Sequence, residues 1–150
     1  MMKKLFAPGN DSALTSLGLL VLRLWLGLTM LLNHGWGKLN HFSNMAPKFF
    51  DPFHIGSTAS FSLVVFAEVG AAALLAIGLL TRFAALTLMI DLGVAFFLFH
   101  KMALSGPGSG ELAFIYLAGF AALFVAGPGK ISADRVFFGK TAKSGWREKK

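Results

Sequence analysis

The chain has 150 residues, of which 55% are hydrophobic and 14% are charged, and its formal net charge is +7. Soluble domains carry about 25% charged residues, so this composition favours a membrane protein and excludes a disordered chain. The absence of cysteine excludes disulfides, CxxC thiol relays, iron–sulfur clusters, cysteine-ligated zinc and CxxCH haem attachment. Any redox chemistry would therefore use a diffusible or histidine-bound cofactor.

Four apolar stretches predict membrane-spanning helices. They cover residues 13–33, 59–80, 83–99 and 111–126. A bilayer core about 30 Å thick needs about 20 helical residues, with a minimum near 17, so the last two stretches are close to the lower limit. The sequence thus predicts an all-α membrane protein, a four-transmembrane-helix bundle formed by residues 1–134 and followed by a basic cytoplasmic tail, residues 135–150.

The links between the stretches differ in character. The first link, residues 35–58, predicts a long aromatic outer loop that covers one end of the bundle, between helices 1 and 2. Its aromatic residues are Trp36, Phe42, Phe49, Phe50 and Phe53. The second link is a tight turn at Thr81-Arg82, and the third is a flexible loop, Ser105–Gly110, whose Gly and Pro cannot continue a helix.

The positive charges predict the orientation in the membrane. Four spans put both termini on one side, and that side carries ten Lys and Arg, whereas the other side carries Lys38, Lys48 and Lys101. The positive-inside rule then places both termini of this multi-pass protein in the cytoplasm. The basic tail suits anionic lipid, and it lacks the stacking or groove-reading pattern of a nucleic-acid binder.

Three ionisable residues lie inside the predicted spans: Arg23, Glu68 and Asp91. Measured by helical rise from the cytoplasmic ends, they lie roughly 14, 18 and 12 Å deep, so they share about one level. An isolated charge at that depth costs at least about 2.5–3.5 kcal/mol, which predicts that the three residues pair with one another. Such a cluster suits either a redox or proton site or a polar staple between helices.

Further polar residues are predicted at the outer end of the bundle. Arg23 and His34 share one face of the first helix, and Lys38 continues that face by one turn. His100 ends the third helix at the level of His34, and Tyr116 lies in the outer third of the fourth span. Histidines there can bind metal or haem or hydrogen-bond a quinone carbonyl, but no HxxxH or HExxH spacing supports a metal site.

These residues together predict a pocket between the first three helices that opens outward. Its floor would be the level of Arg23, Glu68 and Asp91, and the head group of a lipid or quinone would lie near His34. The alternative is an outer end that Phe and Trp side chains fill completely.

Several short motifs, in this order and spacing, resemble the DoxX family of membrane proteins. They are Arg23-Leu24 with Gly27, His34–Leu39, Glu68–Gly70, Gly78–Arg82, His100, Glu111-Leu112 and Gly127–Asp134. The resemblance implies a small four-helix inner-membrane protein, and a quinone-linked oxidoreductase subunit. It also implies quinone as the cofactor.

The sequence thus favours a quinone-associated redox subunit, with Arg23, Glu68 and Asp91 as catalytic residues. The residues expected to bind the cofactor are His34, Lys38, His100 and Tyr116. No electron carrier is evident in the chain, so a redox partner protein or a second cofactor would deliver electrons, and a homo-oligomer is a further possibility. Two other readings stay open: a membrane scaffold without catalytic activity, and a module that transports or binds a small molecule.

Overall fold

The computed structural model describes residues 13–139, and every regular element in this range is helical. The five principal helices are α1 (Ala13–Asn40), α2 (Ser57–Ile77), α3 (Thr81–Phe99), α4 (Glu111–Ala126) and α5 (Ala133–Phe138). Between α1 and α2 the chain forms a one-turn helix, Phe42–Met45, and a 3₁₀ turn, Ala46–Lys48.

The helices α1, α2 and α3 are long and apolar enough to cross a membrane, with 28, 21 and 19 residues. The fourth helix, α4, is as apolar but has 16 residues. Sixteen residues rise about 24 Å, which is shorter than a bilayer core of about 30 Å. The fold is therefore a helical membrane bundle with three full-length apolar helices and a shorter fourth.

Close helix packing forms the core of the bundle. Leu75 of α2, Leu88 of α3 and Phe120 of α4 are completely buried in one cluster. The first helix approaches α2 at Gly27, where an added Cβ would lie 2.9 Å from the carbonyl oxygen of Ala72. A small residue at that position lets the two backbones come together, as in other membrane bundles.

Three of the long helices contain a π-helical turn. These turns are Met30–Gly35 in α1, Phe66–Ala71 in α2 and Ala95–Phe99 in α3. A π turn interrupts the regular hydrogen-bond pattern and is often found at functional sites. Each of the three turns contributes side chains to the same internal cavity.

The first helix is longer than its predicted span, 13–33. It continues through its π turn to Asn40, so the link to α2 is shorter than the predicted loop of residues 35–58. Gly35 and Gly37 do not end the helix, because neither has a positive φ. Lys38 lies within this helical extension. The extension therefore determines which carboxylate the Lys38 side chain contacts.

The remaining part of the link folds over the bundle through its aromatic residues. The rings of Phe42 and Phe49 lie 5.2 and 4.9 Å from the ring of Phe61 in α2. The ring of Phe50 lies 5.6 Å from that of Phe99 at the end of α3. These edge and tilted contacts are the arrangements that aromatic pairs prefer.

The predicted tail, residues 135–150, lies only partly within the described range. Its first residues belong to α5, which begins after Ser132, and the Ser132 hydroxyl accepts a hydrogen bond from the Arg135 amide. The predictions for residues 1–12 and 140–150, including most of the basic tail, lie outside the described residues.

Candidate functional site

A large cavity lies among α1, α2, α3 and the link, and α4 closes one side. Its volume is about 990 Å³, within the range of sites that bind small hydrophobic molecules. Most of the wall is apolar. The polar groups predicted from the sequence that line it are His34, Lys38, Glu68, Asp91, His100 and Tyr116.

Lys38 and Glu68 form an ion pair across the cavity. The Lys38 ammonium donates to Glu68 Oε1, and the two side chains are 23% and 7% exposed. The other carboxylate oxygen, Oε2, is buried without a hydrogen-bond partner among the described residues. A buried acceptor without a partner is costly, so this oxygen can accept a bond from a ligand.

Asp91 of α3 lines the same cavity and interacts electrostatically with Glu68 and Lys38. Two carboxyl groups thus face a single ammonium group in an apolar environment. We call these three residues the Lys38–Glu68–Asp91 cluster. If both carboxyl groups are ionised, the cluster has one excess negative charge, which a proton or a ligand can balance.

A close approach of α1 to α2 positions Glu68. A Cβ added at Gly35 would lie 2.6 Å from the carbonyl oxygen of Glu68 and 2.8 Å from a methyl carbon of Val69. Real Cβ atoms do not approach backbone so closely, so only glycine allows this packing. Because Gly35 precedes Lys38 by one helical turn, the same contact brings the two charged side chains together.

His34 and Tyr116 connect α1 with α4 at the cavity wall. Their ring centroids are 5.7 Å apart, with an edge-to-face angle of 85°. The Tyr116 hydroxyl donates to Thr29 Oγ1 at 2.9 Å, and Thr29 donates in turn to the carbonyl of Trp25. The sequence did not indicate Thr29 as the partner of Tyr116, because the two residues are far apart in the chain.

His100 lies at the end of α3 and is held by the following loop. Its Nδ1 is 2.7 Å from the carbonyl oxygen of Gly108. Gly110 packs against the ring, since an added Cβ there would lie 2.7 Å from the His100 Cβ. The glycine-rich loop therefore fixes the histidine at the cavity wall.

The predicted cluster of Arg23 with Glu68 and Asp91 is wrong in one member, because Arg23 does not line the cavity. Its side chain is completely buried at the other end of the bundle, where Nη2 donates to the carbonyl oxygen of Ile131 at 2.5 Å. Arg23 also interacts electrostatically with Asp134. Lys38 takes the place next to Glu68 that the sequence assigned to Arg23.

Two features explain this difference. The segment after α4 folds back over the start of the bundle, and the Lys130 amide donates to Ser16 Oγ at 3.2 Å. This segment brings the Ile131 carbonyl and the Asp134 carboxylate close to the Arg23 guanidinium. In addition, Gly78 leaves space for the Arg23 side chain, which an added Cβ would occupy. The depth of each charged residue along its own helix therefore did not predict which charged residues form pairs.

Asp134 is the buried residue that the sequence analysis did not single out. Its side chain is completely buried, and its two oxygens accept hydrogen bonds from the amides of Leu80 and Thr81 at 2.6 and 2.9 Å. These amides begin α3, so Asp134 caps that helix from the closing segment. The Ser-x-Asp motif at residues 132–134 was the sequence signal that could have drawn attention to Asp134. No spacing rule, however, connects this motif with Thr81.

Outside the cavity, Asp51 orders the end of the link. Its carboxylate accepts bonds from the Ser60 hydroxyl at 2.7 Å and from the Gly56 amide at 2.8 Å. The bond from Ser60 is the main reason that the pKa of Asp51 lies below its usual range. Within residues 13–139 no three His, Asp or Glu side chains come together as a set of metal ligands.

Comparison with known proteins bears on the first three helices of the bundle. The family model described as DoxX matches residues 18–101, which contain α1 from Gly18, all of α2 and α3, and the Lys38–Glu68–Asp91 cluster. Neither a curated protein nor a solved structure matches the chain. The matched range is more than half of the chain, and the chain therefore belongs to the DoxX family.

Proposed function

We propose that the protein is a quinone-associated redox subunit and that the head group of a membrane quinone binds in the cavity. The observation that carries this proposal is the unpaired, buried Oε2 of Glu68 at the wall of an otherwise apolar cavity of about 990 Å³. An apolar wall suits the ring and chain, and a few polar groups suit the oxygens of the head group.

The residues of the cavity fit such a ligand. Lys38, Glu68 and Asp91 would hold one side of the head group, and His34, with Tyr116 behind it, would hold the other. A bound quinone supplies two-electron chemistry. The contribution of the protein is to bind, orient and exchange protons at the Glu68 and Asp91 carboxyl groups, while a partner protein supplies or takes the electrons.

The cavity also suits a molecule that enters from the bilayer. Several apolar side chains both line the cavity and are more than half exposed on the surface of the bundle: Leu63, Phe66, Ile90 and Phe99. In a membrane these surfaces face lipid. A hydrophobic chain can therefore extend between α2 and α3 into the bilayer while the head group stays inside.

Filling the cavity should weaken the binding of a quinone. Ala95 lines the cavity in the π turn of α3, whereas Ala118 is exposed on α4. We expect Ala95→Phe to weaken binding of a decyl-substituted benzoquinone by at least about tenfold, because the ring occupies the space of the ligand. The matched control Ala118→Phe should bind as the unchanged protein does. Equilibrium titration in detergent micelles measures both affinities.

The same preparation tests the proposal against its rivals. Mass spectrometry of lipids extracted from the purified protein should detect quinone, at a lower level for Ala95→Phe than for Ala118→Phe. Equal affinity of the two variants would show that quinone does not bind in this cavity. Absence of any quinone binding would contradict the proposal and leave the scaffold and the small-molecule transport or binding module.

We further propose that the protein is a multi-pass protein of a bacterial inner membrane, with four spans and both termini in the cytoplasm. The turn between α2 and α3 and the segment after α4 lie at one end of the bundle, since Asp134 contacts Leu80 and Thr81. Arg82, Lys130 and Arg135 belong to that end. The other cations of the terminal side lie outside the described residues.

The orientation has a direct test. A reporter enzyme that is active only outside the cytoplasm, fused after Lys150, should be inactive, because positive loops stay inside. The same reporter inserted after Gly106, in the loop between α3 and α4, should be active. The reverse pattern would place the cavity mouth and its histidines on the cytoplasmic side.

A further inference from the structure

The hydroxyl groups on the cavity wall all donate their protons to oxygens of the protein. The donors are Ser60, Thr87, Ser109 and Tyr116, and the acceptors, in the same order, are the Asp51 carboxylate, the carbonyls of Phe83 and Ala103, and the Thr29 hydroxyl. A hydroxyl has one proton and two lone pairs. Toward a ligand, these groups therefore offer acceptors.

In its neutral form His100, which lines the cavity, also offers an acceptor nitrogen. The carbonyl oxygen of Gly108 can only accept, so the short contact to Nδ1 requires the proton on that nitrogen. The other ring nitrogen, Nε2, then carries a lone pair. The loop that holds the histidine thus selects the tautomer.

The carboxyl groups extend the same pattern, whereas the donors on the wall are Lys38, Lys48 and Asn44. The Lys38 ammonium donates to Glu68 Oε1. Glu68 Oε2 has no donor, although the side chain is only 7% exposed. Asp91, the second carboxyl group of the cluster, lies on the same wall and adds acceptor oxygens. His34 also lines the cavity, and its ring can either donate or accept a hydrogen bond.

We propose that the cavity selects head groups that donate hydrogen bonds, and therefore binds the reduced, dihydroxy form of a quinone more tightly than the oxidised, dicarbonyl form. This inference rests on the proposed function, since it assigns a preference between the two forms of the same ligand. It makes Glu68 and Asp91 the residues that determine that preference.

The preference follows from hydrogen-bond complementarity. A dihydroxy ring brings two O–H donors, one of which can bond Glu68 Oε2, whereas a dicarbonyl ring brings only acceptors and leaves Glu68 Oε2 buried without a partner. An unsatisfied buried acceptor weakens binding strongly, so we expect the reduced form to bind at least about tenfold more tightly. Tighter binding of the reduced form raises the potential of the bound two-electron couple, by about 30 mV for each factor of ten.

The experiment compares three ligands with the same ring and chain. The full-length protein in detergent micelles is titrated, without oxygen, with a decyl-substituted benzoquinone, its hydroquinone and the dimethyl ether of that hydroquinone. We expect the hydroquinone to bind most tightly. The dimethyl ether, which has the same ring but no O–H donor, should bind no better than the oxidised form.

Two variants connect the preference with the carboxyl groups. Glu68→Gln and Asp91→Asn each replace an acceptor oxygen with an NH₂ donor and should reduce the preference for the hydroquinone at least about threefold. Glu111→Gln makes the same chemical change at an exposed residue outside the cavity and should leave the preference unchanged. Because the test uses two independent variants, failure of one to fold does not prevent it.

The outcomes separate this inference from the proposed function. If both forms bind but the oxidised form binds equally or more tightly, the inference is wrong and the proposed function stands. If the dimethyl ether binds as tightly as the hydroquinone, ring shape and not hydrogen-bond donation sets the affinity, and the inference is again wrong. If none of the three ligands binds, both proposals fail.

Discussion

Replacing Asp134 with alanine should lower the free energy of unfolding by about 3–5 kcal/mol. The carboxylate is completely buried and accepts the amides of Leu80 and Thr81, and it lies near the buried guanidinium of Arg23. Its removal leaves two amides without acceptors and one buried cation without its neighbouring charge. Unfolding by sodium dodecyl sulfate in mixed micelles, followed by circular dichroism, measures the loss.

Two controls isolate the cause of that loss. Asp134→Asn keeps one acceptor oxygen, so it should lose roughly half as much stability as the alanine variant. Glu111→Gln changes an exposed carboxylate and should stay within about 0.5 kcal/mol of the unchanged protein. A loss below about 1 kcal/mol for Asp134→Ala would mean that the closing segment does not stabilise the bundle.

Lys38→Met should destabilise the protein by about 2–3 kcal/mol. This variant removes the ammonium group that pairs with Glu68, whose side chain is 7% exposed, and leaves a buried carboxylate without a counter-charge among the described residues. The expected loss is smaller than for Asp134 because Lys38 itself is 23% exposed and solvent screens part of its charge. The same unfolding measurement applies.

A double-mutant cycle shows whether the two side chains interact. Lys38→Met combined with Glu68→Gln should recover at least about 1 kcal/mol relative to the sum of the single losses, because no unpaired charge remains. The control cycle pairs Arg23→Met with Glu68→Gln and should be additive within about 0.5 kcal/mol, since the two residues do not contact each other. Coupling in the control cycle and none in the first would restore the pairing predicted from the sequence.

The apolar runs of the sequence determine the helices and their order. An uninterrupted apolar segment in a bilayer must satisfy its backbone hydrogen bonds internally, so it forms a helix whatever it packs against. Six polar residues of the cavity were also predicted from the sequence. His34 and Lys38 follow one face of α1, and an ionisable residue such as Glu68 or Asp91 inside an apolar run has to face the interior.

Only the tertiary structure decided which charges meet. Helical rise measures position along one helix, but pairing depends on where helices cross and on what the connecting segments add. Gly35 lets α1 approach Glu68 closely, and the extension of α1 brings Lys38 to the same place. The closing segment supplies Ile131 and Asp134 to Arg23.

The hydrogen-bond roles of the polar groups in the cavity belong to the tertiary structure as well. A sequence gives the residue type, but a hydroxyl or an imidazole is a donor or an acceptor according to its neighbours. Tyr116 donates to Thr29, and His100 donates to the loop at Gly108, across distances in the chain that no local pattern predicts. The sequence by itself determined which polar residues the membrane forces inward, and the packing of the helices determined what those residues can recognise.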